Sequence, residues 1–344
     1  MGEKNKRAPQ TYRAAGVDID AADKIVRFIQ KEARATFRPE VISDLGFFSG
    51  LFELKGYLEP VLVSSVDGVG TKLKIACALN KHNTIGIDLV HHCVNDILTC
   101  GAAPLFFLDY IAMARLAPGI VESIIQGIAS ALREVGCALI GGETAQMPGL
   151  YPEGEYDLVG FIVGVVEKDK IIDGRAIKAG DAIIGLPSSG LHTNGYSLVR
   201  KVFNIDEYPS CLKRLHPELG RTLGEELLEP HRCYYPMLKP LLPLIKGIAH
   251  ITGGGFPGNL PRILPEGLAA KIEEGAWEIP PIFSLIQKEG NIDEREMYRV
   301  FNMGIGMALV CSPGDAEGLT KAIADARLIG EVIKQEGKER VIIV

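Results

Sequence analysis

The segment Ser64, Ser65, Val66, Asp67, Gly68, Val69, Gly70, Thr71 and Lys72 delivers an acid, two glycines, a hydroxyl and a cation at the end of an apolar run. That inventory suits a polyphosphate held through a divalent metal ion. A carboxylate such as Asp67 is a hard oxygen ligand for Mg²⁺, and Gly68 and Gly70 let backbone N–H groups approach phosphate without a Cβ in the way. Thr71 adds a hydroxyl, and Lys72 a charge opposite to phosphate. The segment is not a P-loop, because Thr71 precedes Lys72 and the first glycine of G-x-x-x-x-G-K-[ST] is missing. Its plain alternative is an Asp-Gly turn leading into a solvated helix.

Three further segments carry chemistry. Gly141, Gly142 and Glu143 follow a strand-like run at 137–140, again an acid beside flexible backbone. In open α/β sheets ligands collect at such strand ends, so Glu143 and Asp67 are expected across one crevice. Residues 88–101 place Leu89, Val90, Cys93, Val94, Ile97 and Leu98 on one side of a helix, with Asp88, His92 and Asp96 recurring every four residues on another. Asp88 reads as part of a solvated face, whereas Asn95 and Asp96 offer a second metal-binding acid beside an amide. His91 and His92 lack a third His or Cys at suitable local spacing and point about 100° apart, so zinc is not expected. The loop 187–195 sets Ser188, Ser189, Gly190, His192 and Asn194 between a strand and a helix, where they can bind phosphate, with His192 the best local acid or base. A solvated His192 among ordinary turn formers is the competing reading. Leu186 or Pro187 stands where a G-x-S-x-G nucleophile elbow needs glycine. Gly253, Gly254 and Gly255, with Asn259 just beyond, read either as close backbone approach to a ligand or as tight packing of a helix on a strand.

Strand-like runs at 61–66, 105–108, 139–140 and 159–166 alternate with helical patterns near 20–35, 72–80, 88–100 and 120–135, where Gly136 is a helix C-cap. The alternation indicates α/β or α+β architecture. A charged stretch at 167–170 leads into a boundary near 171–180, giving an N-terminal ATP- and metal-binding domain at 1–170 and a C-terminal α/β domain at 171–344. The second half restarts with a strand at 182–186 and a helix from Tyr196, and has another strand at 307–311.

At 344 residues and 47% hydrophobic content the chain can bury two cores. A net charge of −6 argues against a nucleic-acid binder. Seven cysteines without a C-x-x-C pair fit reduced thiols, with Cys93 and Cys137 expected in the core. No apolar run reaches the length of a membrane span. Residues 1–10 are polar and basic without the apolar centre of a signal peptide, and Lys6 stands where a myristoylation motif needs Ser or Thr. A cytoplasmic location is expected.

Residues 12–19 (YRAAGVDI), 67–72 (DGVGTK), 84–90 (TIGIDLV), 93–96 (CVND), 104–110 (PLFFLDY) and 141–145 (GGETA) resemble the phosphoribosylformylglycinamidine cyclo-ligase, or aminoimidazole ribonucleotide synthetase, family. The order continues through 188–192 (SSGLH), 194–200 (NGYSLVR), 250–255 (HITGGG), Asn259, 296–299 (EMYR) and 301–302 (FN). The resemblance implies ATP-dependent closure of formylglycinamidine ribonucleotide to aminoimidazole ribonucleotide, with release of ADP and phosphate. It also implies Mg²⁺ on Asp67, Asp96 and Glu143, and a homodimer whose N-terminal sheets close into a barrel. Lys72 and His192 would be catalytic. Gly68, Gly70, Thr71, Asn95, Gly141, Gly142, Ser188, Ser189, Gly190, Asn194, Gly253, Gly254, Gly255 and Asn259 would bind nucleotide or substrate. The chain departs from the family pattern at Phe47, where a second loop glycine is usual. It departs again at His91 and His92 in place of a small residue and Met, at Gln146 for Glu, and at Gly258 for Glu. The rival readings are another ATP-dependent enzyme of the same superfamily and a catalytically silent nucleotide-binding scaffold. The intact acids at Asp67, Asp96 and Glu143 argue against the scaffold.

Overall fold

The computed structural model describes residues 19–344. The polar stretch 1–10 and all but the last residue of the 12–19 motif lie outside the described residues. The first helices are α1 (Ile19–Arg34), α2 (Lys72–Leu79), α3 (Ile85–Leu98) and α4 (Pro118–Val135), the last ended by Gly136 in the left-handed region at φ 65°. Four strands form the first sheet: β1 (Pro60–Gly68), β2 (Ala103–Met113), β3 (Ala138–Gln146) and β4 (Tyr156–Glu167), in spatial order β1-β4-β2-β3. β4 runs antiparallel to β1 and β2, while β2 and β3 are parallel. Parallel neighbours need a long crossover, and α4 supplies it.

Side chains alternate along β1. Val61, Val63, Ser65 and Asp67 turn toward the helices, and Leu62, Ser64 and Val66 lie on the open face. The helix side is packed by Phe107, Ile111, Leu158 and Ile162 against α3 and α4. The sheet pairing aligns Asp67, Gly160, Asp109 and Gly142 in one cross-strand row, so these four share the helix side. Glu143 pairs with Tyr110 one position along, on the opposite face. The strand end expected at Gly141 is instead strand interior, since β3 continues to Gln146 in register with β2.

The second half holds β5 (Ala182–Pro187), a hairpin of β6 (Leu215–His216) and β7 (Arg221–Thr222), then β8 (Ile245–His250), β9 (Leu268–Ile272), β10 (Ile305–Cys311), β11 (Arg327–Lys334) and β12 (Val341–Ile343). Six of these form one sheet in the order β12-β9-β11-β5-β10-β8, antiparallel except for β12 on β9. Its helices are α5 (Tyr196–Val202), α6 (Leu223–Leu227), α7 (Tyr235–Leu238), α8 (Gly255–Asn259), α9 (Pro281–Gly290), α10 (Glu294–Val300) and α11 (Pro313–Ala322). β5 and β10 are buried on both faces, which is why they read as continuous apolar runs. The result is a mixed α/β protein of two domains. Among the described residues no helix is long and apolar enough to cross a membrane.

The chain between α6 and α7 straps the two halves together. Lys72 Nζ donates to the Glu229 carbonyl at 2.7 Å, and the His231 N–H donates to Asp88 Oδ1 at 2.7 Å. His91 Nδ1 donates to the His231 carbonyl at 2.6 Å. Asn95 donates to the Arg232 carbonyl at 2.8 Å and accepts from the Tyr234 N–H at 3.0 Å. On the other side, Ser189 Oγ reaches the Pro230 carbonyl at 2.5 Å and Tyr234 Oη the Pro187 carbonyl at 2.9 Å.

Candidate functional site

α3 presents His92 and Asp96 one turn apart toward the end of β1 and the end of β8. His92 Nδ1 lies 2.8 Å from Thr193 Oγ1, and its Nε2 lies 3.4 Å from Asp67 Oδ2 and 3.8 Å from Asp96 Oδ2. Asp96 Oδ1 is 2.8 Å from His250 Nδ1, and its Oδ2 accepts from Ser65 Oγ at 3.0 Å. His250 Nε2 meets His231 Nε2 at 3.1 Å, and the His231 ring stacks on His192 with centroids 3.9 Å apart. Four imidazoles from four segments thus adjoin two carboxylates where the domains meet. A cleft of about 270 Å³ opens beside them, lined among others by Ser65, Asp96, His250, Thr252, Asn259 and Arg262.

The charges divide along this line. Burial works to raise Asp96, but the hydrogen bond and charge of His250 and the charge of His92 outweigh it and hold the acid well below its usual range. Burial works to lower His92, yet Asp67 and Asp96 outweigh it and raise the ring above the ordinary histidine value. Burial and the neighbouring positive charges push His192 and His231 well below the ordinary histidine value, and burial lowers His250 despite Asp96.

The expected ligands converge only in part. Asp67 and Asp96 share His92, and Asp96 lines the cleft. Glu143 does not join them: it is exposed on the other face of the sheet, three strands and roughly 14 Å away. Lys72, expected to face phosphate, is fully buried with Nζ 2.9 Å from Asp88 Oδ1. Asp88 is correspondingly no part of a solvated face, because the strap covers it. Burial pushes Lys72 down and Asp88 up, and their mutual attraction opposes both shifts. Asn95 is likewise a strap residue. Gly68 ends β1 just after Asp67, Gly70 opens the turn into α2, and Thr71 Oγ1 lies 3.1 Å from Ser197 Oγ.

The 187–195 loop is built inward. His192 is 1% exposed, not solvated; its Nε2 accepts from the Ser189 N–H at 3.2 Å, which puts the proton of the neutral ring on Nδ1, an atom buried without a partner. Gly306 permits this, since a Cβ there would lie 2.5 Å from His192 Cε1 and 2.1 Å from Tyr234 Oη. Asn194 Nδ2 is also buried and unpartnered. Ser188 Oγ donates to Asn302 Oδ1 at 3.1 Å, and Asn302 Nδ2 donates to the Gly190 carbonyl at 2.9 Å. At the triple glycine, packing explains Gly255: a Cβ would lie 1.8 Å from the Tyr298 carbonyl oxygen. Gly253 faces Asn194 instead, and Gly254 takes φ 96°. Asn259 Nδ2 donates to the carbonyls of Thr252, Gly253 and Gly255 at 3.3, 3.3 and 2.8 Å, holding the loop's shape. Sequence reasoning missed His231, and it missed His250 and Asn302 as site residues. No local spacing marks them, although His250 opens the quoted HITGGG run.

Asp67 and Asp96 supply the hard oxygen atoms that Mg²⁺ takes, and Asp96 is held ionised, so this pair fits the ion that the sequence implies. The buried donors His192 Nδ1–H and Asn194 Nδ2–H suit an anionic or carbonyl oxygen.

Comparison with known proteins agrees with this architecture. Residues 56–166 match the family model "AIR synthase related protein, N-terminal domain", and residues 178–343 match the corresponding C-terminal domain. A phosphoribosylformylglycinamidine cyclo-ligase of Thermoanaerobacter sp. (strain X514) is 54% identical over 331 residues, covering 95% of this chain and 98% of its own. One of Acetivibrio thermocellus is 55% identical over 344 residues, covering 96% and 99%. Among solved structures, hydrogenase maturation protein HypE in complex with ATP has a TM-score of 0.68 at 16% identity, covering 94% of this chain and 90% of that one. Thiamine-monophosphate kinase from Stenotrophomonas maltophilia K279a has a TM-score of 0.66 at 14% identity, covering 94% and 95%. At such identities the two structures share the fold alone. With both family models matched in order and more than half its residues identical to full-length relatives, the chain belongs to the AIR synthase related family.

Proposed function

We propose that this chain is a phosphoribosylformylglycinamidine cyclo-ligase, closing formylglycinamidine ribonucleotide to aminoimidazole ribonucleotide in purine biosynthesis with ATP converted to ADP and phosphate. The 54% identity over 95% of the chain to a cyclo-ligase carries the proposal. The reaction needs the formyl oxygen phosphorylated, so that it can leave as phosphate when a nitrogen of the same substrate attacks that carbon. Such chemistry rests on positioning and on offsetting charge at the transferring phosphoryl group. Asp67 and Asp96 would hold Mg²⁺, which supplies that charge when bound. His192 Nδ1–H, Asn194 Nδ2–H and the backbone around Ser188, Ser189, Gly190, Gly253 and Gly254 would orient nucleotide or substrate oxygens. Glu143 would reach bound nucleotide only from the open face of the first sheet. In the homodimer we propose, that face is covered by its counterpart, closing the two sheets into a barrel.

The test is incubation with formylglycinamidine ribonucleotide, ATP and Mg²⁺ while ADP and aminoimidazole are followed together. One ADP per aminoimidazole, and no ADP without the amidine, is the expected result. ADP release with thiamine phosphate and none with the amidine overturns it. Asp67→Asn should raise the Mg²⁺ concentration needed for half-maximal rate while leaving the melting temperature in place. An unchanged Mg²⁺ requirement in the folded variant removes Asp67 from the metal site.

A further inference from the structure

α3 carries a second histidine, and its surroundings differ from those of His92. His91 is 7% exposed, and its Nδ1 donates to the His231 carbonyl at 2.6 Å. In the neutral ring this leaves the lone pair on Nε2, an atom that is buried and has no hydrogen-bond partner. Two other ligand types converge on it. Glu134, in the last turn of α4, brings Oε2 to 3.4 Å from that nitrogen. Cys233, a buried free thiol in the strap, completes a group in which one ligand atom from each residue lies within 4.8 Å of the others. We propose that His91, Glu134 and Cys233 form a site for a borderline-soft divalent transition metal, of which Zn²⁺ is the natural occupant, separate from the Asp67 and Asp96 pair.

The chemistry of the set favours this assignment. Imidazole, thiolate and carboxylate together suit Zn²⁺, which takes three protein ligands and leaves a fourth position to water. A backbone carbonyl receiving the far N–H is the arrangement that aims a ligating histidine. Ligand atoms around a tetrahedral zinc stand roughly 3–4 Å apart, so a modest contraction suffices. The Glu134 side chain is 51% exposed and free to make it, whereas His91 is anchored to the strap. Coordination replaces the S–H bond of Cys233 by an S–metal bond, and the proton passes to solvent. The three ligands sit on α3, α4 and the strap, so the ion would fasten the strap to both helices. No local spacing shows such a set, because Glu134 and Cys233 are 43 and 142 positions from His91 in the chain.

The test uses the reduced full-length protein, stripped with a chelator and titrated with Co²⁺. One equivalent should give tetrahedral visible bands and a thiolate charge-transfer band, and equimolar Zn²⁺ should abolish both, while a large excess of Mg²⁺ should not. Zn²⁺ should also raise the melting temperature. Cys233→Ser should remove the charge-transfer band, and His91→Ala should weaken binding by about tenfold or more, with Glu134→Gln affected less. Absence of a thiolate band in the wild-type protein overturns the proposal without recourse to any variant. So does a band that survives Cys233→Ser, or binding that is lost in His92→Met and kept in Cys233→Ser, which would place the ion among His92, Asp96 and His250.

Discussion

Of the two ring nitrogens of His192, only Nε2 has a partner, the Ser189 N–H, and burial keeps the ring neutral. Its free Nδ1–H is therefore a donor, not a base. Removing one positioned donor to a developing oxyanion typically costs about 10²–10³-fold, so His192→Ala should lower turnover by at least about tenfold, with His192→Gln restoring part of it through a retained hydrogen bond. Near-normal turnover and substrate affinity in the alanine variant would leave His192 a packing residue. Asp109 makes a prediction of a different kind. Burial, with a smaller push from Glu143, raises its carboxyl to about 7. In the unfolded chain the same group titrates near 3.9. Between those values the folded state holds the extra proton, so stability falls as pH rises, by about 1.4 kcal/mol per unit, and levels off above about pH 7. Asp109→Asn should accordingly become more stable than the wild type across that window in urea unfolding at stepped pH. A stability difference that stays flat from pH 4 to pH 7 would show the carboxyl to be ionised throughout.

Elements with strong periodicity were legible in the sequence, and those shaped by the other domain were not. The apolar stripe and Gly136 marked α4, and the apolar run marked β1. β2 and β3, by contrast, run on through Asp109, Tyr110 and Glu143, polar residues that read as strand ends. The stripe of Asp88, His92 and Asp96 on α3 has the spacing of a solvated face, but a strap from more than a hundred residues away buries Asp88 within it. Asp67, Asp96 and His192 were legible as chemistry from residue type and neighbours. Their arrangement was not, because His231 and His250 arrive from distant segments. The buried pair of Lys72 and Asp88 belongs to this element-level fastening. Removing one partner leaves the other charge uncompensated, which typically costs about 3–5 kcal/mol. Lys72→Met should therefore lower unfolding stability by about that amount. A folded Lys72→Met protein of wild-type stability that fails only in turnover would show Lys72 to act in catalysis and not in fastening.

For the whole molecule, the most telling surface is the open face of the first sheet. Leu62 and Val66 are each 61% exposed there, Phe161 is 37% exposed, and β1 is an edge strand. An apolar face beside an edge that is unpaired among the described residues calls for cover. In the homodimer proposed above, a second copy of the same sheet would supply it with two-fold symmetry. Leu62→Asp should shift the protein from dimer to monomer in sedimentation, and a wild-type protein that sediments as a monomer throughout the micromolar range would refute the barrel. The strap has a consequence in time as well as in space. Lys72, Asp88 and Asn95 are made early, yet the backbone groups that satisfy them lie at 229–234. In a nascent chain that has emerged only to residue 170, Lys72 and Asp88 can answer only each other, and Asn95 still lacks both of its strap partners. The first half is thus left poised until the ribosome has delivered some sixty residues more, and the order of translation becomes part of how the protein closes.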